Sequence, residues 1–130
     1  MSLPLPHAEP FRFVGEVDAV FEDAAQFRWT LPREGATYGL RIHPQLLCAE
    51  AMAQAAAAFH GLQASGEPEA GTLASLDGFK FTGHPNPGDT LIIKIKRRKA
   101  LGALVLLDGE VWVHHRMVAQ GQVTVKRGAA

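Results

Sequence analysis

Two kinds of hydrophobic pattern divide the chain. Residues 11–31, FRFVGEVDAVFEDAAQFRWTL, alternate imperfectly between apolar and polar positions and are rich in Phe, Val and Trp, which predicts one long strand or two short ones. Residues 44–59 contain no glycine, and their only proline stands at the first position, where a helix tolerates it. We therefore predict a helix from Pro44 to Phe59, with Gly61 as its stop.

The second half of the chain has a strand pattern throughout. Strand-like segments begin at residues 72, 90, 103 and 110, and GHPNPGD at 83–89 predicts a turn between the first two. In TLIIKIKRR, the alternation of Lys94 and Lys96 with isoleucines places the charges on one face of a strand. Asp108-Gly109, between two apolar runs, predicts a hairpin turn.

The order of these elements predicts an α+β domain in which an antiparallel sheet covers one long helix. The helix is apolar nearly all round, which is typical of a helix inside a core. Its run of alanines, 55–58, would let strands approach the helix axis closely, so a curved sheet wrapped round a central helix fits both facts. We expect a single domain over 1–130, with flexible ends at about 1–4 and 126–130.

Composition and charge exclude several functions. Lys+Arg and Asp+Glu are equal at 13 each, so no net field favours nucleic acid or an anionic membrane. The apolar run is interrupted by Glu50 and Gln54 and is too short for a membrane span. The lone cysteine, Cys48, cannot form an internal disulfide, and the first residues lack a secretory signal, so we expect a reducing, cytoplasmic location.

Glu50 is the unusual residue of the predicted helix, since it places a carboxylate among small apolar side chains. A carboxyl group desolvated in this way would suit proton donation, because burial disfavours its charged form. The alternative is a buried carboxyl that is satisfied by backbone or by Gln54, one turn along the helix. The residues alone leave both interpretations open.

Three segments together resemble the FabA/FabZ-like 3-hydroxyacyl-acyl-carrier-protein dehydratases. They are LPHAEPF at 5–11, EAMAQA at 50–55, and FKF with PGD between 79 and 89, and their order and spacing match over about residues 4–125. The resemblance implies a hot-dog fold, in which an antiparallel sheet wraps one long helix. It also implies an acyl-thioester substrate in a tunnel at a dimer interface, where the helix carboxylate and a loop histidine of the partner subunit share the acid–base work.

The residues that carry the family's chemistry match only in part. Glu50 occupies the position of the catalytic acid at the start of EAMAQ. Counting back fourteen positions without a gap reaches GATYG, in which Gly35 and Gly39 match the two loop glycines, but Ala36 stands where the family has its histidine. The proline-glycine at the helix start, whose glycine amide helps to hold the thioester carbonyl, corresponds here to Pro44 and Gln45, and the glutamine side chain restricts close approach of a substrate.

Another residue must supply the second proton-transfer group if the protein is a dehydratase. His43 is the best candidate; within one helix it lies about 10 Å from Glu50, but across a dimer interface that limit does not apply. A cap or loop role is the alternative for His43. Tyr38 is a weaker candidate acid, and simple aromatic packing is its alternative.

The other histidines are weaker candidates. His7 would fix the N-terminal segment, His84 would lie in a turn, and His60 would end the helix. His114 and His115 would point to opposite faces of a strand, which makes a poor metal site. No zinc-ligand spacing and no glycine-rich phosphate loop occurs, so we predict neither a metal nor a cofactor.

The basic cluster in the strand at 90–98 has two interpretations. The cluster could guide an acidic carrier protein to the tunnel. Alternatively, its charges could keep an exposed edge strand solvated and prevent it from aggregating. The cluster consists of Lys94, Lys96, Arg97, Arg98 and Lys99.

Three functions follow from the resemblance and its gap. The first is a 3-hydroxyacyl-carrier dehydratase of fatty acid or polyene-type biosynthesis that acts through Glu50 and a relocated partner such as His43. The second is a non-catalytic subunit that binds acyl groups and pairs with an active dehydratase. The third is a thioesterase, in which the helix carboxylate activates water. In each case the expected partners are an acyl-carrier protein or coenzyme A thioester and a second chain in a dimer or an assembly of dimers.

Overall fold

The computed structural model describes residues 15–31, 44–63, 72–83 and 85–126. In these ranges the chain forms one helix and six strands. They are β1 (Glu16–Val20), β2 (Ala24–Thr30), α1 (Pro44–Gln63), β3 (Thr72–Phe81), β4 (Thr90–Leu101), β5 (Leu104–Val113) and β6 (Arg116–Lys126). The N-terminal alternating segment is thus two short strands where it is described, one of the two forms predicted for it.

The six strands form one antiparallel sheet in the order β1-β2-β4-β5-β6-β3. The helix α1 lies on one face of this sheet and contacts β2, β3, β4, β5 and β6. A sheet that touches one helix with five of its strands must curve round that helix. The prediction of an α+β, hot-dog arrangement is confirmed.

The core between α1 and the sheet is built from small helix residues and branched strand residues. Ala51, Ala55 and Ala58 are fully buried on the helix, and Ile93 and Val111 face them from the sheet. Methyl-sized side chains allow this close approach and still exclude water from the branched residues, whose burial stabilises the fold by about 1.5–3 kcal/mol each. The predicted alternation in β4 is also confirmed, because Lys94 is exposed where Ile93 and Ile95 are buried.

The predicted hairpin turn at Asp108-Gly109 is wrong. β5 runs through both residues without a break, and the chain instead reverses at Gly102-Ala103 and at His114-His115. The glycine of the Asp-Gly pair lies against the helix, where a side chain would not fit. The prediction that His114 and His115 point to opposite faces of a strand is also wrong. Both residues lie in the turn between β5 and β6, with positive φ angles of 49° and 62°.

Two further predictions need correction. The helix continues to Gln63, so neither Gly61 nor His60 ends it, and His60 is buried within α1. The edge-strand interpretation of the basic cluster is wrong for Lys94 and Lys96, because β4 lies between β2 and β5 at these positions. Guidance of an acidic carrier by the cluster stays a hypothesis.

In the described part of the chain, α1 is not apolar enough along a sufficient length to cross a membrane. The ends expected to be flexible lie outside the described residues, apart from Lys126, the last residue of β6.

Candidate functional site

Glu50 lies on the one face of α1 that the sheet leaves less covered. The same face carries Leu46, whose side chain is 56% exposed, and the partly exposed Ala57. The spacings of four and seven residues place all three on one side of the helix. The neighbours Ala49 and Ala51 are buried.

The side chain of Glu50 is half-buried in the single chain. Its further desolvation at a dimer interface stays a prediction. Among the residues that the structure describes, the Glu50 carboxylate has no hydrogen-bond or ion-pair partner, and none joins it to the buried Gln54. The alternative in which Gln54 satisfies Glu50 therefore finds no support among the described residues.

The start of α1 carries two more of the predicted site residues. Pro44 is the first helical residue, and Gln45 follows with a half-buried side chain five positions before Glu50. Along the axis that separation is about 7.5 Å. The structure thus puts Gln45 in the first turn of α1 and Glu50 in the second turn of the same helix. The helix dipole favours a developing negative charge near the first turn.

The remaining predicted site residues lie outside the described residues. They are Tyr38, Gly39 and His43, together with Ala36 at the position of the family histidine. Their roles stay predictions.

The turn at residues 86–89 is held by several hydrogen bonds. The carboxylate of Asp89 accepts a hydrogen bond from the backbone N–H of Asn86 at 2.8 Å, and its other oxygen lies 3.1 Å from Nε2 of His114. The backbone hydrogen bond from Asn86 and, to a smaller extent, the His114 ring hold the pKa of Asp89 below its usual value. Asp89 therefore fixes its own turn and ties it to the turn between β5 and β6.

The same turn fixes the end of β2, after which the predicted catalytic loop begins. Leu31 donates its N–H to the carbonyl of Asp89 at 2.8 Å, and its carbonyl accepts the N–H of Gly88 at 2.9 Å. Leu31 is buried and is the last described residue before the loop. The turn predicted within GHPNPGD is present at residues 87–88, whereas its hydrogen bonds to Leu31 join segments far apart in the sequence and were not predicted.

Cys48 points into the core. Its side chain is fully buried, and desolvation raises the pKa of its thiol to about 11. A thiol with that pKa stays protonated at neutral pH and is a poor nucleophile. In the described ranges, no group of three or more His, Cys, Asp or Glu side chains is arranged to hold a metal ion.

Comparison with known sequences places this geometry in context. A family model described as ApeP-like, ApeP dehydratase, matches residues 2–129. The chain is 29% identical over 129 residues to the 3-hydroxyacyl-[acyl-carrier-protein] dehydratase FabZ of Lactococcus lactis subsp. cremoris (strain MG1363), covering 95% of this chain and 90% of that one. It is 33% identical over 127 residues to FabZ of Vibrio vulnificus (strain YJ016), covering 82% of this chain and 81% of the relative.

Solved structures share the fold. The dehydratase heterocomplex ApeI:P from Xenorhabdus doucetiae matches with a TM-score of 0.80 and 19% identity, over 96% of this chain and 88% of that chain. A hypothetical thioesterase with coenzyme A from Streptococcus pneumoniae TIGR4 matches with a TM-score of 0.69 and 11% identity, over 88% and 85% of the two chains. At these identities the likeness concerns the fold alone.

Proposed function

Because the chain belongs to the ApeP-like dehydratase family, we propose that it binds 3-hydroxyacyl thioesters on a carrier protein and eliminates water from them, with Glu50 as the acid. The observation that carries the proposal is the position of Glu50, which lies on the less covered face of a central helix without a partner among the described residues. The relatives named for the same reaction, at 29% and 33% identity, support the substrate class.

The reaction requires two proton transfers at neighbouring carbons. A base removes the α-proton, the electron pair of that C–H bond forms the double bond, and the β-hydroxyl departs as water after it receives a proton. Glu50 is assigned the second transfer, because it occupies the position of the family's catalytic acid and lies on the less covered face of α1. The base is assigned to His43, in place of the histidine that Ala36 replaces.

A second chain is part of the proposal. The face of α1 that carries Leu46 and Glu50 is not covered by the sheet of its own chain, and a partner subunit would exclude water from it. Dehydration benefits from a dry site, since charge interactions are stronger there. We expect a dimer whose interface includes this helix face.

The test follows double-bond formation and thiol release together. The purified protein is incubated with 3-hydroxyacyl and 2-enoyl thioesters on an acyl-carrier protein and, separately, on coenzyme A. Interconversion of the two acyl forms supports the dehydratase. Glu50→Gln should abolish it without altering the dimer, whereas Glu16→Gln, at an exposed position in β1, should leave it unchanged. Turnover retained in Glu50→Gln would remove the assignment of Glu50.

A non-catalytic partner subunit is the second candidate. Ala36 removes the family's base, and one structure that shares the fold is described as a dehydratase heterocomplex. In this case the protein alone neither interconverts the two acyl forms nor releases free thiol, but it binds the acyl-carrier protein. Ala36→His should then produce a trace of dehydration, and no gain would point to Gln45 or the loop as a further obstacle.

A thioesterase is the third candidate, because a hypothetical thioesterase with coenzyme A shares the fold. Release of free thiol without interconversion of hydroxyacyl and enoyl forms would favour it. Silence in both assays, together with no binding of acyl-carrier protein, would contradict all three.

A further inference from the structure

The outer face of the sheet, which points away from α1, carries opposite charges on its two middle strands. β4 contributes Lys94 and Lys96, and β5 contributes Glu110 and Asp108. The strand register pairs Lys94 with Glu110 and Lys96 with Asp108, so each lysine stands directly beside an acid on the next strand. The Asp108 carboxylate also forms an ion pair with Arg98 of the same chain, at 3.6 Å. Both lysines are exposed, and both acids are partly exposed.

A third pair on the same two strands is apolar. The register places Ile92 beside Trp112, and both are only partly buried on this outer face. The indole N–H of Trp112 donates to Oε1 of Glu110 at 2.9 Å, and the Lys94 ammonium lies 4.7 Å from the indole ring centroid. These contacts hold the three side chains of Lys94, Glu110 and Trp112 in fixed positions on the surface.

Three consecutive cross-strand pairs of this kind make the surface complementary to itself. Consider two copies whose outer faces meet, related by a two-fold axis that is parallel to the strands. If the axis lies midway between the two sheets and above the line where β4 and β5 meet, β4 of one copy lies opposite β5 of the other. Lys94 then faces Glu110 of the second copy, Lys96 faces Asp108, and Ile92 faces Trp112. A two-fold contact requires this property, that residue i meets j while j meets i.

We propose that the outer face of the sheet binds a second copy of this chain back to back, with the β4–β5 seam at the centre of the contact. Sheets packed face to face lie about 10 Å apart, which long side chains such as Lys, Glu and Trp can span. The contact joins surfaces on the opposite side of the sheet from α1, so it is separate from the helix face that carries Glu50 and does not depend on the proposed reaction.

A second copy fits this surface better than a partner of a single charge. An acidic partner would be attracted by β4 and repelled by β5, and a basic partner would meet the reverse. A second copy carries the same two strands in the opposite order and therefore satisfies both at once. Shallow concavities flank the ridge of charged side chains, with volumes of about 550 Å³ beside Trp112 and about 480 Å³ beside Asp108, and they offer room for side chains of the second copy.

The test uses two variants whose faces repel themselves but attract each other. Lys94→Glu/Lys96→Glu makes the paired positions of both strands acidic, and Asp108→Lys/Glu110→Lys makes these positions basic on both strands. Each variant alone should lose the back-to-back contact, so that native mass spectrometry and light scattering give half the mass of the wild-type assembly. An equimolar mixture of the two should restore the wild-type mass, with both variants in every particle.

The mixture separates this contact from effects within one chain. The cross-strand pairs inside each variant stay broken after mixing, so recovery of mass can come only from contact between chains. The control Arg116→Glu/Lys126→Glu has the same change in net charge at exposed positions of β6 and should keep the wild-type mass. Higher salt should weaken the wild-type assembly, since it screens exposed charges.

Two outcomes would overturn the proposal. One is an equal mass for the wild type and both reversed variants, and the other is a mixture that stays at the lower mass. If circular dichroism shows that a reversed variant does not fold, Lys94→Gln/Lys96→Gln replaces it. That neutral variant should weaken association roughly tenfold, and unchanged association would contradict the contact.

Discussion

The backbone of Gly109 in β5 lies directly against the side chain of Met52 in α1. A Cβ atom placed on Gly109 would be 2.7 Å from Sδ and 2.9 Å from Cγ of Met52, closer than van der Waals contact allows. Met52 is fully buried, so its side chain can be displaced only if the core around it repacks. The absence of a side chain at position 109 thus sets how closely the central helix approaches the sheet.

Gly109→Ala should destabilise the protein by about 1–3 kcal/mol, the usual cost of overpacking a core. The free energy of unfolding, measured by urea denaturation, checks the value. A double-mutant cycle with Met52→Ala identifies the cause, because the alanine at 109 should cost much less once the methionine is shortened. Additive effects of the two substitutions would show that Met52 is not the obstacle.

This contact explains why the hairpin turn predicted at Asp108-Gly109 is wrong. An Asp-Gly pair between apolar runs predicts a turn, because glycine tolerates positive φ angles. Gly109 instead lets Met52 of α1 pack against the sheet. This contact joins residues far apart in the sequence, so the local pattern does not indicate it. The turn that follows is made by two histidines, which have no strong preference for turns, so local sequence could not indicate it.

The turn at His114-His115 predicts a stabilising substitution. His115 has a φ of 62°, a left-handed conformation that costs a side-chain-bearing residue about 1–2 kcal/mol. His115→Gly relieves this strain but makes the unfolded chain more flexible, which costs about 0.4–1 kcal/mol. The free energy of unfolding should therefore rise by roughly 0.5–1 kcal/mol, a net figure from these two terms.

Gly102 provides the reverse test, because it has a φ of 59° in the other two-residue turn, with open space around it. Gly102→Ala should lower the free energy of unfolding through backbone strain alone. Thermal denaturation of His115→Gly and Gly102→Ala measures the change in stability for each variant. A loss of stability in His115→Gly would show that the histidine side chain makes a contact worth more than the strain.

Asp89 should give the protein a pH-dependent part of its stability. Its pKa is lowered in the folded state, first by the backbone N–H of Asn86, so the contribution is present above the unfolded value of about 3.9 and is lost as the pH falls below it. Asp89→Asn should destabilise the protein by about 1–2 kcal/mol at pH 7. The difference from the wild type should shrink below about pH 4.

His114→Ala is the matched variant for this prediction. It removes the imidazole but keeps the hydrogen bond from Asn86, so its effect at pH 7 should be smaller than that of Asp89→Asn. Urea denaturation over a pH series measures both. A difference between the wild type and Asp89→Asn that stays constant from pH 3 to pH 7 would contradict the role of the carboxylate charge.

The candidate site was only partly accessible to sequence reasoning. Glu50 stood out because a charge inside an apolar helix needs a reason, and the structure places it on the less covered helix face. Its half-exposure could not be predicted, because periodicity does not show which side of an apolar helix the sheet leaves open. The connection from Asp89 through Leu31 to the start of the loop depends on backbone hydrogen bonds between distant segments, which residue types do not encode.

Cys48 should be chemically inert in the folded protein. Its thiol is fully buried and its pKa is raised to about 11 by desolvation, so at pH 7–8 only a very small fraction is thiolate, the reactive form. In the native protein, a thiol reagent that forms a coloured product should react with Cys48 only as fast as the core opens. In denaturant the same reaction should be immediate. Cys48→Ala, which should show no reaction in either state, is the control. Because the unfolding rate limits labelling, the reaction should speed up in Gly109→Ala; rapid labelling of the stable wild type would show that the α1 core admits solvent.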